Sequence, residues 1–257
     1  EVREKWKVVH FIVAIPSKGR LSSPCLQLVR SLGFDATGLD RSYLVEGSDK
    51  LTKLLLVRAK DIPKCVEQGI ADLGITGQDL VEESGAKVKV CLRLPFGACR
   101  VVYATRKDSV SPVRRVATSF PNIAAKYILR NSLDAEVIVL NGAVEASVKS
   151  GLADAVIDLT SSGNTLKAND LVISDELLSS TAVIVCRNTL EKEKKEQIAA
   201  VLSAMENKWE IFLSPLSSLS KERKMKLLNR NKALSDKAKD LLNEVFESVR
   251  LDRDEAI

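Results

Sequence analysis

The stretch Ala155-Val156-Ile157-Asp158-Leu159-Thr160-Ser161-Ser162-Gly163-Asn164-Thr165-Leu166 sets one carboxylate near the end of an apolar run and follows it with a hydroxyl-rich turn around a glycine. Backbone N–H groups and hydroxyls gathered in such a turn suit a phosphate dianion. Asp158, just ahead of it, is placed to accept hydrogen bonds from a sugar diol. In open α/β sheets ligands sit beyond the carboxyl ends of the strands, which is where this turn falls if the apolar run is a strand. Carboxylate and phosphate cradle together are what a phosphorylated ribose requires. An ordinary polar turn closed by an aspartate has the same composition, so the motif alone leaves both readings open.

The elements that must carry this motif show a repeat. Val66-Glu67-Gln68-Gly69-Ile70-Ala71-Asp72-Leu73-Gly74-Ile75 aligns with Val148-Lys149-Ser150-Gly151-Leu152-Ala153-Asp154-Ala155-Val156-Ile157, with five of ten positions identical. Each copy reads as a helix end, a glycine stop in the left-handed conformation and a buried strand. Two α/β lobes of related architecture follow from this. In the first, a strand is expected at Val8–Ile15 and a turn at Pro16-Ser17-Lys18-Gly19-Arg20. A helix then opens at Ser23-Pro24, with Cys25, Leu28, Val29 and Leu32 at helical spacing and Gly33 as its stop. A strand at Lys53–Val57, a helix capped by Asp61-Ile62-Pro63 and the repeated strand Asp72–Thr76 come next. The second lobe is expected from about Arg100, with strands Val101–Thr105, Val116–Thr118, Glu136–Leu140 and Asp154–Asp158 and helices Asn122–Arg130 and Ala143–Ser150. Such alternation calls for mostly parallel sheets with helices on their faces. The expected division is a first lobe over 1–99, completed by the chain returning at about 184–213, a second over 100–183, and a helical basic tail over 214–257.

Composition narrows the classes. Of 257 residues 45% are hydrophobic and 28% charged, enough to build a core and stay soluble. Only 4% are aromatic, which argues against a protein that stacks single-stranded bases on rings. No apolar run reaches the roughly 20 residues that span a bilayer, and no secretory signal is legible, so a cytoplasmic protein without membrane contact is expected. The five cysteines (Cys25, Cys65, Cys91, Cys99, Cys186) are odd in number and never spaced as CxxC, which predicts reduced thiols and no zinc site. His10, the single histidine, lies in an apolar strand and reads as a packed core residue, and no cysteine has a histidine partner for nucleophilic work.

Five segments taken in order are more specific. Pro16-Ser17-Lys18-Gly19-Arg20-Leu21, Val57-Arg58-Ala59-Lys60-Asp61-Ile62-Pro63, Gly69-Ile70-Ala71-Asp72-Leu73-Gly74-Ile75-Thr76-Gly77, Asn141-Gly142-Ala143-Val144-Glu145 and the run from Asp158 to Leu166 together resemble the ATP phosphoribosyltransferase family, from about residue 8 to residue 187. The resemblance implies an enzyme of the first step of histidine biosynthesis. It joins N1 of the ATP adenine to C1 of phosphoribosyl pyrophosphate, inverts the anomeric centre and releases pyrophosphate. It also implies Mg²⁺ held through the substrate phosphates rather than by protein ligands, and two lobes like those of type II periplasmic binding proteins with the site in the cleft between them. Carried over residue by residue, Asp158 and Glu145 hold the ribose hydroxyls. Ser161, Ser162, Gly163, Asn164 and Thr165 cradle the 5′-phosphate. Lys18, Arg20, Arg41 and Arg58 face the pyrophosphate and the ATP phosphates, with Lys18, Arg20 and Arg41 expected to be catalytic.

The chain departs from the family's pattern in places. Asn164 stands where many members carry Arg or Thr, and Asp170 follows Asn169 where Gly is usual. Past Cys186 no strand pattern remains. Ile198, Val201, Leu202, Met205, Trp209 and Phe212 form one helical stripe, expected to dock back on the first lobe, and Leu234, Ala238, Leu241, Leu242, Val245 and Val249 form another, suited to contacts in a homo-oligomer. Long-form members end instead in a βαββαβ regulatory domain. The resemblance is therefore to the short catalytic form, which in the family pairs with a subunit resembling histidyl-tRNA synthetase. Between Lys221 and Lys239 eight basic residues face Glu222 and Asp236. That run reads as a solvated helical face or as a contact for nucleic acid or an acidic partner, and the near-neutral body and scarce rings disfavour nucleic acid. A non-catalytic two-lobed binding protein is the rival class.

Overall fold

The computed structural model describes residues 11–31, 43–46, 52–107, 112–190 and 192–206. Arg41, His10, Trp209, Phe212, the basic run Lys221–Lys239 and the tail at 214–257 lie outside the described residues, and so do the expectations placed on them. Elements follow in chain order: β1 (Phe11–Pro16), α1 (Ser22–Ser31), β2 (Leu44–Glu46), β3 (Thr52–Val57), α2 (Ile62–Glu67), β4 (Leu73–Gly77), α3 (Gln78–Ser84), β5 (Val88–Arg93), β6 (Cys99–Arg106), β7 (Arg115–Thr118), α4 (Pro121–Arg130), β8 (Glu136–Val139), α5 (Ala146–Lys149), β9 (Ala155–Thr160), α6 (Asn164–Ala168), β10 (Leu171–Ser180), β11 (Ala182–Arg187) and α7 (Lys192–Glu206). Two units divide them. One takes the chain to Thr76, Ala86–Phe96 and the part from Ala182 on, and the other takes Gly77–Gly85 and Gly97–Thr181.

The first unit is a six-stranded sheet in the order β2-β3-β1-β4-β11-β5. β1 lies parallel to both β3 and β4, while β2 and β5 join antiparallel at the two edges. Val13, Ile15, Leu54, Leu73, Ile75 and Ile184 form its core together with Cys25, Leu28 and Val29 of α1 and Ile198 and Leu202 of α7. The strands read as nearly unbroken apolar runs because both sheet faces are covered. On the opposite face, Ile62 and Val66 of α2 close against Gly74, where an added Cβ would press on both of them and on Val185.

The second unit is a five-stranded sheet, β10-β6-β9-β7-β8. β7 is parallel to β8 and β9, and β6 is antiparallel to β9 and β10. Alternation along β6 and β9 sends Val101, Tyr103, Ala155 and Ile157 to one face, against Phe120, Ile123 and Ala124, and Val102, Ala104 and Val156 to the other, against Val144, Val148 and Leu166. Asp158 follows Val156 by two residues and so shares the α5–α6 face.

Both sheets have one strand order. β3-β1-β4-β11-β5 in the first unit matches β8-β7-β9-β6-β10 in the second, each with a parallel trio and one strand inserted where the chain crosses between units. The repeat read in the sequence is the third strand of each trio. Gly69 and Gly151 both adopt positive φ, +75° and +78°. Asp72 N–H donates to the Ile12 carbonyl at 2.8 Å and its carboxylate accepts Ile12 N–H at 2.8 Å. Asp154 does the same with Arg115, at 2.9 Å in each direction. In both copies the aspartate pins the start of the neighbouring strand by hydrogen bonds from side chain and backbone at once, and the two-lobed α/β expectation is met by one topology used twice.

The parallel trios are what the alternation predicts. The antiparallel strands make each sheet mixed, and β2, β5, β10 and β11 have no counterpart among the strands expected from the sequence. β10 carries register breaks at Ile173/Asp175 and Glu176/Leu178, which scramble its alternation. The helix expected over Ala143–Ser150 is only Ala146–Lys149, because Ala143 sits at φ +49°, outside the right-handed helical region. Asp61 precedes α2 but makes no side-chain cap hydrogen bond. Among the described residues no helix is long and apolar enough to cross a membrane.

Candidate functional site

In both units the residues singled out for chemistry lie at or beyond the carboxyl ends of the parallel strands. β1 and β3 run in register from Phe11↔Thr52 to Pro16↔Val57, so the loop after Pro16 and the residue after Val57 leave the same edge of the sheet. Ser17 N–H donates to the Val57 carbonyl at 2.8 Å, and Gly19 at φ +89° turns the loop toward α1. A non-glycine residue there would meet the left-handed penalty of about 1–2 kcal/mol. Lys18, Arg20 and Arg58 are all exposed at this edge. Thr76, the repeat partner of Asp158, hydrogen bonds the Ala59 carbonyl at 2.7 Å and fixes the segment between Arg58 and Lys60.

In the second unit β9 ends at Thr160, buried at 7% exposure. Its Oγ1 accepts the N–H of Gly163 at 2.9 Å and folds the Ser161–Gly163 turn back over the strand end. Gly163 itself is at φ +79°. The Gly163 carbonyl takes the N–H of Lys167 at 3.1 Å, which begins α6, and Ser162 Oγ accepts the Asn164 N–H at 3.4 Å. Ser161, Ser162, Asn164 and Thr165 are left exposed while Gly163 is buried. The turn therefore offers three hydroxyls and an amide side chain to solvent from a backbone held by one buried threonine. That combination suits a phosphate group, which needs many donors in a small arc.

Asp158 is half-buried on the last part of β9. Burial pushes its carboxyl up to about 6, the nearby Glu145 carboxylate adds to the rise, and a backbone hydrogen bond from Leu159 pulls the other way. Glu145 stands at the first position before α5, after Gly142 at φ +148° and Ala143 at φ +49°. An alanine in the left-handed region stores strain that the neighbouring packing must hold, here the buried Val144. Two carboxylates brought together this way can grip a vicinal diol by accepting its hydroxyl protons.

The second unit thus brings together Asp158, Glu145, Ser161, Ser162, Gly163, Asn164 and Thr165. The first brings together Lys18, Arg20 and Arg58. Thr160 and Ala143 are the two supporting residues the sequence did not disclose. Asp170, which stands where the family usually carries glycine, is at φ +59°. That left-handed conformation accounts for the usual glycine, and aspartate is among the residues that tolerate it. Mg²⁺ is typically bound by one or two carboxylates plus phosphate oxygens and water. The Asp158–Glu145 pair fits that donor set, while among the described residues no three His, Cys, Asp or Glu side chains gather as a metal cage.

A family model described as "HisG: ATP phosphoribosyltransferase" matches residues 58–207. An ATP phosphoribosyltransferase of Methanopyrus kandleri is 44% identical over 180 residues, which is 67% of this chain and 64% of that protein. One from Saccharolobus solfataricus is 38% identical over 75% of this chain and 70% of its own length. So the chain spans just under two thirds of the first relative and slightly more of the second. Among solved structures, an ATP phosphoribosyl transferase (HisG:HisZ) complex from Thermotoga maritima aligns with a TM-score of 0.70 and 30% identity, over 78% of this chain and 98% of that one.

Proposed function

The chain belongs to the ATP phosphoribosyltransferase family, and from that premise we propose that it joins N1 of ATP to C1 of phosphoribosyl pyrophosphate and releases pyrophosphate. The family's reaction is a phosphoribosyl transfer of histidine biosynthesis. The observation that carries the reading for this chain is the pairing of the half-buried Asp158 carboxylate with the turn that Thr160 and Gly163 hold at the end of β9.

Adenine N1 is already a neutral nucleophile, so no strong general base is required. The difficulty is charge, since two polyanions must meet and a diphosphate must leave. Asp158 and Glu145 orient the ribose through its hydroxyls, and Ser161, Ser162, Gly163, Asn164 and Thr165 fix the 5′-phosphate. With both ends of the sugar held, C1 has little freedom left to lose on reaching the transition state. Lys18, Arg20 and Arg58 are assigned to phosphate oxygens, and Arg41 joins them by resemblance alone. Guanidinium forks grip such oxygens bidentately and stabilise charge as it develops on the leaving group. Mg²⁺, arriving on the substrate phosphates, would supply further charge neutralisation, and Asp158 and Glu145 are the side chains fitted to reach it. Asn164 offers an amide where a cation is common, so hydroxyls and backbone carry more of the phosphate contact here.

A homo-oligomer and a regulatory partner resembling histidyl-tRNA synthetase belong to the same proposal. Its support is that the Thermotoga maritima relative was solved as a HisG:HisZ complex. The test incubates the purified chain with ATP, phosphoribosyl pyrophosphate and Mg²⁺, with and without a HisZ-type subunit, and follows the ultraviolet-absorbing adduct and pyrophosphate release. Stoichiometric appearance of both supports the reading. Tight binding of phosphoribosyl pyrophosphate with neither product would make the chain a binding module instead.

A further inference from the structure

β5 and β11 are antiparallel neighbours whose register breaks once. Val185 pairs with Val90 and Ile184 with Leu92, which leaves Cys91 as the extra residue of a bulge. In a regular strand Cys91 and Leu92 would face opposite sides of the sheet. The bulge turns both into the same core, where both are buried. Cys186, one residue past Val185 on β11, points into that core as well. The result is that Cys91 Sγ and Cys186 Sγ stand 2.7 Å apart, as free thiols at 7% and 4% exposure. A covalent S–S bond is about 2.05 Å, so bond formation asks the two sulfurs to close only about 0.65 Å further.

We propose that Cys91 and Cys186 are an oxidation site that closes to an intramolecular disulfide when hydrogen peroxide reaches it. The Cys186 sulfur attacks the peroxide O–O bond and becomes a sulfenic acid, releasing water. The Cys91 sulfur then attacks that sulfur, the S–O bond breaks, and a second water leaves with the Cys91 proton. Two thiols lose two electrons and two protons, and one peroxide is reduced to two waters. Cys186 is the more acidic partner, because the Cys91 S–H donates to it and the Lys89 ammonium favours its thiolate. Cys91 is correspondingly held protonated. The cysteines are 95 positions apart, and the loop they would close contains Gly97–Thr181, nearly the whole of the second unit. The long loop is the consequence that can be measured, since cross-links closing long loops restrict the unfolded chain most.

The test treats the full-length wild-type chain with hydrogen peroxide, blocks remaining thiols with N-ethylmaleimide, and maps non-reduced peptides by mass spectrometry. The expected result is one linked pair of peptides carrying Cys91 and Cys186, with three of the five thiols still alkylated after denaturation. The oxidised protein should gain roughly 5 °C or more in its unfolding midpoint, and dithiothreitol should reverse the gain. Cys91→Ser and Cys186→Ser should each lose the link and the shift. If peroxide leaves both sulfurs alkylatable, or drives either to a sulfinic acid without the link, the proposal is overturned. A linked pair that includes Cys25, Cys65 or Cys99 overturns it equally, and the wild-type experiment decides whether or not the variants fold.

Discussion

Asp158 gives the sharpest quantitative expectation, because removing its charge should stabilise the fold while destroying the site. The carboxyl is raised from the ordinary 3.8 to about 6, chiefly by burial. That difference corresponds to about 3 kcal/mol between its two protonation states. The folded chain holds this proton more tightly than the unfolded chain does. The stabilising contribution is therefore complete below pH about 4 and is lost as pH rises through about 6. Above pH about 7 the ionised Asp158 is a cost to the folded state of the second unit. Asp158→Asn removes the charge at every pH and keeps the shape. It should protect the amides of β9 in hydrogen exchange by about 1–3 kcal/mol over wild type near pH 8, less whatever the lost Leu159 contact was worth. Between pH about 8 and about 5 that advantage should shrink by about 1.4 kcal/mol, as wild-type Asp158 takes up its proton. In the same variant kcat/KM for phosphoribosyl pyrophosphate should fall by about two orders of magnitude, the effect of losing a charged hydrogen bond. Wild-type kcat/KM should climb through pH about 6 as the carboxylate forms. An advantage that does not vary with pH, or a carboxyl found by NMR to titrate near 4, would refute the burial argument. A more stable variant with unchanged kinetics would remove Asp158 from the site.

Three further outcomes test the supporting architecture. Gly163→Ala adds a Cβ with nothing within 4 Å, so its whole effect is the φ of +79°; a cost of about 1–2 kcal/mol should weaken phosphoribosyl pyrophosphate binding about tenfold with little change in the rest of the fold, read by calorimetry. Gly74→Ala would drive a methyl to 2.8 Å from Val66 Cγ2 and closer still to Ile62, so urea unfolding should show a loss of about 1–3 kcal/mol in the first unit. Glu83 accepts the N–H groups of Asn122 and Ile123, at 3.0 Å each, at the start of α4, whose own N-cap position is Phe120. Glu83→Ala should therefore cost about 1–2 kcal/mol and expose the first-turn amides of α4 to hydrogen exchange, whereas unchanged exchange would mean that water replaces the cap.

What was legible in the amino-acid order is what local rules control. The Gly-x-Ala-Asp repeat announced two copies of one substructure, because a left-handed stop needs glycine at both Gly69 and Gly151 and because apolar runs after Asp72 and Asp154 suit buried strands. The Ser161–Gly163 turn was legible for the same reason, since Gly163 and its serines are a short-range pattern. Which residues the turn depends on was not legible. Thr160 looks like any strand-end threonine until its hydroxyl is seen on the Gly163 N–H, and Ala143 carries no mark of its left-handed backbone, which only packing around Val144 imposes. Strands β5 and β10 were hidden because bulges break the period-2 alternation that signals a half-buried strand, and bulges arise from pairing with distant partners. Tertiary structure alone decided that Cys91 meets Cys186 and that Asp158, which the resemblance already set with Glu145, keeps its proton to about pH 6. Both are consequences of burial and register between segments far apart in the chain, where neighbouring residues exert no control.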